Sequence, residues 1–351
     1  MRTRVCITID TEFSVGGAFQ DAARPSVAEP MVWCDVDGRS EGLGFLLAQF
    51  ERHQVPATFF VEALHRHRFR HDPMGPIARR IASHGHEVQL HAHPCWTVFA
   101  HDDWQARVRL APRQDDFIGR AEDDTLALIH QGLAAFADWG LPRPQVFRSG
   151  SLQHDAALYR ALARAGVPYS SNVGLSIFTS GEPAFQLYSG RHELHGVSEF
   201  PVLTFCDWQL AGREHLKTLT IAGSSFAETR HLLDQAQRHG IGQVVLLTHP
   251  FEYIQSRDVG RQRARRHAVN QGRLAALCQY LDQHRDRFIP SGLAAAAQAG
   301  APQVAPANIR LDGKLWHSLR RMATQACYDR YGRWALAGAG ARARLAGGAR
   351  A

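Results

Sequence analysis

The chain has 351 residues, 45% of them hydrophobic, and 40 Lys and Arg against 33 Asp and Glu give a net charge of +7. That length suits one large α/β domain with an appendage, or two small domains, and without a run of 18 apolar residues no membrane span is expected. Eight Arg and one Lys against two Asp after residue 300 hold the whole of the +7, so the main body is near neutral and no nucleic-acid partner is expected for it.

The N-terminus enters a strand-like run at once and has no signal-peptide h-region, so a cytoplasmic location is expected. Arg4 to Asp10 (RVCITID) is rich in β-branched residues and reads as a buried strand. It runs into Asp10-Thr11-Glu12 and a glycine loop. Two carboxylates two residues apart at a strand end can face one site. Ser40 to Gln54 places Leu43, Leu46, Leu47 and Phe50 at helical spacing, and Pro56 to Val61 is a second strand. A helix from Ile77 to Ser83 closes at Gly85. The next stretch, GHEVQLHAHPCW over 85–96, is a short strand stopped by Pro94, with His91 and His93 on one face of its end. Paired imidazoles are candidate ligands for a zinc-type metal. In a chain with 20 His the weaker alternative is a pair of solvated or hydrogen-bonded side chains.

Thr97 to Gln114 reads as a loop, with Trp96, Phe99 and Trp104 set among charges. Asp123 to Trp139 is an amphipathic helix closed by Gly140 and Pro142. Val146-Phe147-Arg148 is a fourth strand that runs into Ser149-Gly150. A helix from Asp155 to Ala165 leads to a fifth strand over Val167 to Asn172, and Glu199 to Val202 is a sixth. After a helix from Phe226 to His239, the strand Gln243 to Thr248 delivers His249-Pro250. A basic run follows, Arg257, Arg261, Arg263, Arg265 and Arg266, which suits a phosphate or a solvated helix face. A helix from Arg273 to His284 and a strand from Arg287 to Pro290 complete the body. The six cysteines are scattered without a C-x-x-C pair, as expected of reduced thiols.

Strand and helix alternate about seven times, the pattern of a parallel sheet with covering helices, as a barrel or a doubly wound sheet. In both layouts the working residues lie at the C-terminal ends of strands. Asp10, Glu12, His91, His93, Arg148 and His249 all lie there.

Five blocks of this sequence, in order, resemble the polysaccharide deacetylase family (NodB homology, carbohydrate esterase 4). TIDTE (8–12) is similar to a first motif usually written TFDDG, and PATFFV (56–61) to a frequent family strand. GHEVQLH (85–91), FRSG (147–150) and LLTH (246–249) are similar to the second, arginine and final histidine motifs. The continuation HAHPCW resembles a branch associated with lipopolysaccharide O-antigen or capsule gene products. The resemblance spans roughly residues 4 to 292 and implies a distorted (β/α) barrel of about seven parallel strands. It implies a hydrolase that removes an N-acetyl or similar acyl group from an amino sugar, with a divalent ion, Zn or else Co, Ni or Fe. The residues matched to its motifs are Asp10 as base, Glu12, His91 and His93 as metal ligands, Arg148 beside the base, and His249 as general acid. The family's second motif is H-[ST]-x-x-H, and here the later position holds Cys95 while the second histidine is His93.

An amino-sugar glycan or its activated precursor is the expected partner, with Trp96 and Trp104 as a stacking wall or as ordinary packing. Two other readings stand beside this one. One is a catalytically inactive deacetylase-like domain that binds a glycan or a partner. The other is a metal-independent hydrolase of ureides or cyclic imides on the same scaffold. Residues 1–296 form the expected barrel domain and 297–351 an extension. In it Leu315 to Trp334 forms a basic helix suited to weak contact with a membrane surface, and Gly338 to Ala351 is Ala/Gly/Arg-rich and disordered.

Overall fold

Nine residues, TRVCITIDT, form the first strand, Thr3–Thr11 (β1), and all but Arg4 are buried. A strand covered on both faces has to be apolar nearly throughout, which this β-branched run achieves. The computed structural model describes residues 2–21, 23–110, 115–210, 212–299, 308–328 and 330. Eight more strands join β1 in one sheet: Thr58–Glu62 (β2), Glu87–Ala92 (β3), Val146–Ser149 (β4), Tyr169–Ser170 (β5), His192–Leu194 (β6), Val197–Glu199 (β7), Gln243–Thr248 (β8) and Phe288–Pro290 (β9). Their order is β8-β1-β2-β3-β4-β5-β7-β6, with β9 beside the N-terminal half of β1. Every pairing is parallel except the β6–β7 hairpin.

The sheet curls until its far side meets β8 again, through single bridges at Val202–Val245 and Thr220–Leu247. The product is a partly open, distorted (β/α) barrel flanked by helices, as the strand and helix alternation predicts. Leu43–Arg52 (α1), Met74–Ser83 (α2), Glu122–Asp138 (α3), Ala156–Arg164 (α4), Phe226–Arg238 (α5) and Ala268–Gln283 (α6) make the crossovers. Side-chain alternation along β1 then divides the core in two. Val5, Ile7 and Ile9 pack outward under the helices. Cys6 packs inward with Phe60, Val146, Val245 and Leu247. Thr8 and Asp10 continue the inward row, so β1 hands a carboxylate to the barrel's rim.

Several boundaries differ from the sequence reading. The expected loop over 97–114 holds a 3-10 turn, Pro94–Ala100, and a short helix, Trp104–Leu110. The helix expected from Arg273 starts at Ala268, because His267 Nδ1 accepts from the Asn270 amide and caps it. The fifth strand narrows to two residues, since the Ser171 carbonyl and the Asn172 side chain accept from Arg148 and the Ser149 amide.

An antiparallel ribbon, Thr204–Leu210 with Arg213–Thr218, stands outside the expected elements. Leu311–Asp312 adds a third, parallel strand to it. A helix over 315–328 follows. It is tied down by Arg321, which donates to Glu228 at 3.0 Å and to Asp207 at 3.1 Å. The expected linker over 301–307 and the Ala/Gly/Arg-rich stretch lie outside the described residues. All six cysteines are free, and five are buried. No helix among the described residues is long and apolar enough to cross a membrane.

Candidate metal centre

Four strands of the sheet deliver their last residues to one rim of the barrel. β1 brings Asp10 and then Glu12, β3 brings His91 and then His93, β4 brings Arg148, and β8 ends one residue before His249. Strand register fixes the meeting, since His91 lies opposite Glu62 of β2 on one side and Arg148 of β4 on the other.

Glu12, His91 and His93 converge. Glu12 Oε2 lies 3.1 Å from His91 Nε2 and 2.7 Å from His93 Nε2, and the two rings sit edge to face with centroids 4.8 Å apart. One carboxylate oxygen and two imidazole nitrogens within 4.8 Å of one another are a donor set suited to Zn²⁺ or a similar borderline ion. The far side of each ring makes the case stronger. His91 Nδ1 donates to the Arg148 carbonyl at 2.9 Å, and His93 Nδ1 donates to Asp115 Oδ2 at 2.8 Å. A ring whose Nδ1–H is committed in this way presents its Nε2 lone pair, the arrangement usual for metal-ligating histidines. Burial opposes the charge on His93, yet the carboxylates of Glu12 and Asp115 override it and hold the imidazolium well above its ordinary range. Burial likewise opposes ionisation of Glu12, and the His93 and His91 imidazoles pull its carboxyl well below its ordinary range. A cation could thus take the place of the His93 proton at Nε2, with the Nδ1 hydrogen bond to Asp115 kept. Cys95 lies on the other side of His93, with Asp115, and burial pushes its thiol up to about 12, so it is no thiolate ligand at neutral pH.

Asp10 stands beside this group under full guanidinium control. Arg148 is completely buried and donates to Asp10 Oδ1 and Thr8 Oγ1 at 2.8 Å, and to the Ser171 carbonyl at 2.9 Å and its hydroxyl at 2.7 Å. Its plane also rests on the Phe60 ring at 4.1 Å. The planar fork is thereby fixed, and Asp10 with it. His249 Nε2 lies 4.0 Å from Asp10 Oδ2. Its Nδ1 meets Glu252 Oε1 at 3.0 Å, while the His249 amide and the Thr248 hydroxyl donate to Glu252 Oε2. Burial works against the charge on His249, but Glu252, then Asp10 and Glu12, outweigh it and carry the imidazole up to about 9.

The rim opens into a cleft of about 380 Å³ lined by Glu12, His93 and Asp115 and by Phe13, Phe19, Trp96, Phe251 and Arg261 among others. Trp96 edges this cleft, but its ring is 1% exposed and packs on Phe69 and Phe99. Trp104 is not among the lining residues. It stacks on Phe99 at 5.0 Å, with the Arg68 guanidinium over it at 5.3 Å. His86 accepts from the Ala57 amide, away from the centre.

Three carboxylates of the site escaped the sequence reading. Glu62 is wholly buried and accepts from the Leu64 amide at 2.5 Å and the His93 amide at 2.6 Å. Burial pushes its carboxyl up to about 7 against the pull of His93 and His91. It ends β2, so the strand-end rule that selected Asp10 would have found it. Glu252 sits three residues after His249, the spacing of a reciprocal cap. Asp115 lies outside every helix and strand and carries no local signal.

No protein-family model and no curated protein matches the chain. Among solved structures it is similar to a candidate polysaccharide deacetylase from Mycobacterium smegmatis, with 19% identity, 88% of this chain and 93% of that chain covered, and a TM-score of 0.48. It is also similar to a family 4 carbohydrate esterase from Streptomyces lividans, with 14% identity, coverage of 87% and 98%, and a TM-score of 0.43. A peptidoglycan deacetylase from Bacillus subtilis aligns at 10% identity, with coverage of 85% and 91% and a TM-score of 0.39. At these values the likeness assigns neither a substrate nor a residue's role to this chain.

Proposed function

We propose that the chain is a metal-dependent amide hydrolase that removes an N-acetyl or similar acyl group from an amino sugar in surface polysaccharide or lipopolysaccharide biosynthesis. The observation that carries this reading is the Glu12, His91 and His93 donor set, with both histidines oriented from behind, next to a clamped carboxylate and a charged histidine. A divalent ion, Zn²⁺ for preference, would supply positive charge that makes water a stronger acid near neutral pH and polarises an amide carbonyl.

The remaining work falls to the chain's own residues. Asp10 takes a proton from the attacking water, and Arg148 keeps that carboxylate aimed. His249 approaches from the side of Glu252 and gives its Nε2 proton to the leaving amine, which leaves poorly as an anion. Glu252 holds the His249 ring in position and charged, as the acidic partner of a catalytic histidine does. The aromatic lining of the cleft, with Phe13, Phe19 and Phe251, suits the apolar faces of sugar rings. On the helix over 315–328, Leu315, Trp316, Leu319 and Met322 are exposed beside the cations Lys314 and Arg320, which supports weak contact with an anionic membrane surface.

The test is elemental analysis of protein purified without a tag or chelator, together with a His91→Ala/His93→Ala variant and an assay on N-acetylated oligosaccharides. About one equivalent of metal in the wild type, lost in the variant together with acetate release, is expected. Acetate release that survives in metal-free protein would sink the metal-dependent mechanism.

A further inference from the structure

The cleft that holds the candidate metal centre also has a cation in its lining. Arg261 lines it, half-buried, and its two side-chain contacts are uncharged: the Met31 thioether at 3.1 Å and the Phe251 ring face at 5.1 Å. Among the described residues no carboxylate lies within ion-pair distance of its guanidinium, whereas Arg148, Arg164, Arg287, Arg310 and Arg321 each have one. Asp258 acts on it only through space, without an ion pair, and burying a guanidinium without a paired anion costs free energy that the aromatic face returns only in part.

The backbone is built to hold Arg261 there. Its φ of 56° lies in the left-handed region, which a side chain other than glycine adopts only under strain. Asp258 fixes the turn by accepting from the amides of Gln262 and Arg263, both at 2.8 Å, while the Arg261 amide donates to the Asp258 carbonyl. Two other members of the basic run, Arg265 and Arg266, are held by other partners. They lie on a hairpin, Ile254–Ser256 with Ala264–Arg266, and not on the helix face that the sequence allowed. Arg265 donates to Gln255, and Arg266 to Gln271.

Arg261 also communicates with the reaction centre through stacked rings. Phe251 touches both it and His249, stacked on the imidazole at an interplanar angle of 27° with centroids 4.8 Å apart. A sugar with its acyl nitrogen at His249 would therefore extend along Phe251 towards a guanidinium fork with free donors. We propose that Arg261 binds an oxyanion carried by the substrate, a phosphate or a carboxylate on the amino sugar, so that the enzyme selects anionic glycans over neutral ones. This inference rests on the amide-hydrolase reading for the placement of the acyl group, but the anion preference itself is measured by binding.

The experiment is calorimetric titration of the zinc-loaded full chain with N-acetylglucosamine, N-acetylglucosamine 1-phosphate and N-acetylmuramic acid. Wild type, Arg261→Gln and Arg261→Lys are compared, with metal content checked in each. A charge-assisted contact of this kind should make at least one anionic sugar bind about tenfold tighter than the neutral one. The phosphate and carboxylate arms tell which oxyanion is recognised. Arg261→Gln should abolish the preference without changing metal content or neutral-sugar affinity, and Arg261→Lys should restore part of it. Equal affinity for all three sugars, no binding of either anionic sugar, or a preference unchanged in Arg261→Gln would overturn the proposal. An anion preference that depends on Arg261 in a protein that neither holds metal nor releases acetate would overturn the hydrolase reading instead and leave the anion site standing.

Discussion

Replacing Arg148 by methionine should cost far more than any surface charge change, and replacing its partner as well should return part of that cost. The guanidinium is fully buried and serves Asp10, Thr8 and both oxygens of Ser171. Its loss strands the Asp10 carboxylate inside the barrel, and removing one member of a buried ion pair costs ~3–5 kcal/mol. An unfolding entropy of about 2.1 cal/mol/K per residue over the chain makes each kcal/mol worth about 1.4 °C, so Tm should fall by about 4–7 °C. Asp10→Leu should cost a similar amount for the converse reason. The double variant Asp10→Leu/Arg148→Met buries no unpaired charge and should be more stable than either single variant by ~1–4 kcal/mol. Thermal unfolding of the four proteins, at one pH and one metal load, measures the coupling. Additive losses in the double variant would refute the claim that Asp10 and Arg148 are coupled as a buried pair. Asp10→Asn then separates chemistry from stability: kcat should drop ~10²–10⁴-fold with metal content unchanged.

Other outcomes follow from the same geometry. An added Cβ at Gly150 would lie 2.4 Å from His93 Nδ1, so Gly150→Ala should displace the ring and lower metal affinity, read by chelator competition. Asp115→Ala removes the acceptor behind His93 and should weaken metal binding ~10–100-fold in the same assay. His249 works as an acid only while protonated, so the alkaline limb of the rate profile should fall through about pH 9. Glu252→Gln removes the largest influence that raises it and should move that limb to lower pH, as a pH series of kcat/KM would record. The stability that His249 draws from Glu252 has the matching sign. It is complete below the ordinary histidine range near 6.5 and fades as pH rises through about 9, which urea unfolding across that window would detect.

The parts of this molecule that could be read from sequence are those where one-dimensional patterns carry three-dimensional meaning. The run RVCITID had to be a covered strand, and the parallel layout then sent Asp10, His91, Arg148 and His249 to one rim. What remained hidden depends on partners far along the chain. Glu62 ends its strand as Asp10 nearly does, but its hold on the His93 amide is visible only once strand register sets it opposite His91. Asp115 meets His93 across a sequence separation of 22 residues. Trp96 and Trp104 have the same chemistry in the sequence, yet one is core at the cleft's edge and the other shares a stack with Phe99 and Arg68. The β6–β7 hairpin had a usable signal, because His195-Gly196 supplies the two positive φ angles of a tight turn. The ribbon of Thr204–Leu210 with Arg213–Thr218 had less, since its outer residues are mostly polar and its third strand, Leu311–Asp312, lies far downstream.

That late strand bears on how the protein is made. Every strand of the barrel and every residue of its rim is present once Pro290 has been synthesised, and Leu293–Gln298 then closes the inner core, but the free edge of Phe205 and Cys206 stays open until residue 312 emerges. An uncovered edge is a template on which strands of other chains can grow. The nascent protein thus passes through a stage in which its chemistry is assembled and its self-protection is not. Residues 311 and 312 act as a stopper, and a chain cut at residue 305 should aggregate through the ribbon even though every residue of the rim is present.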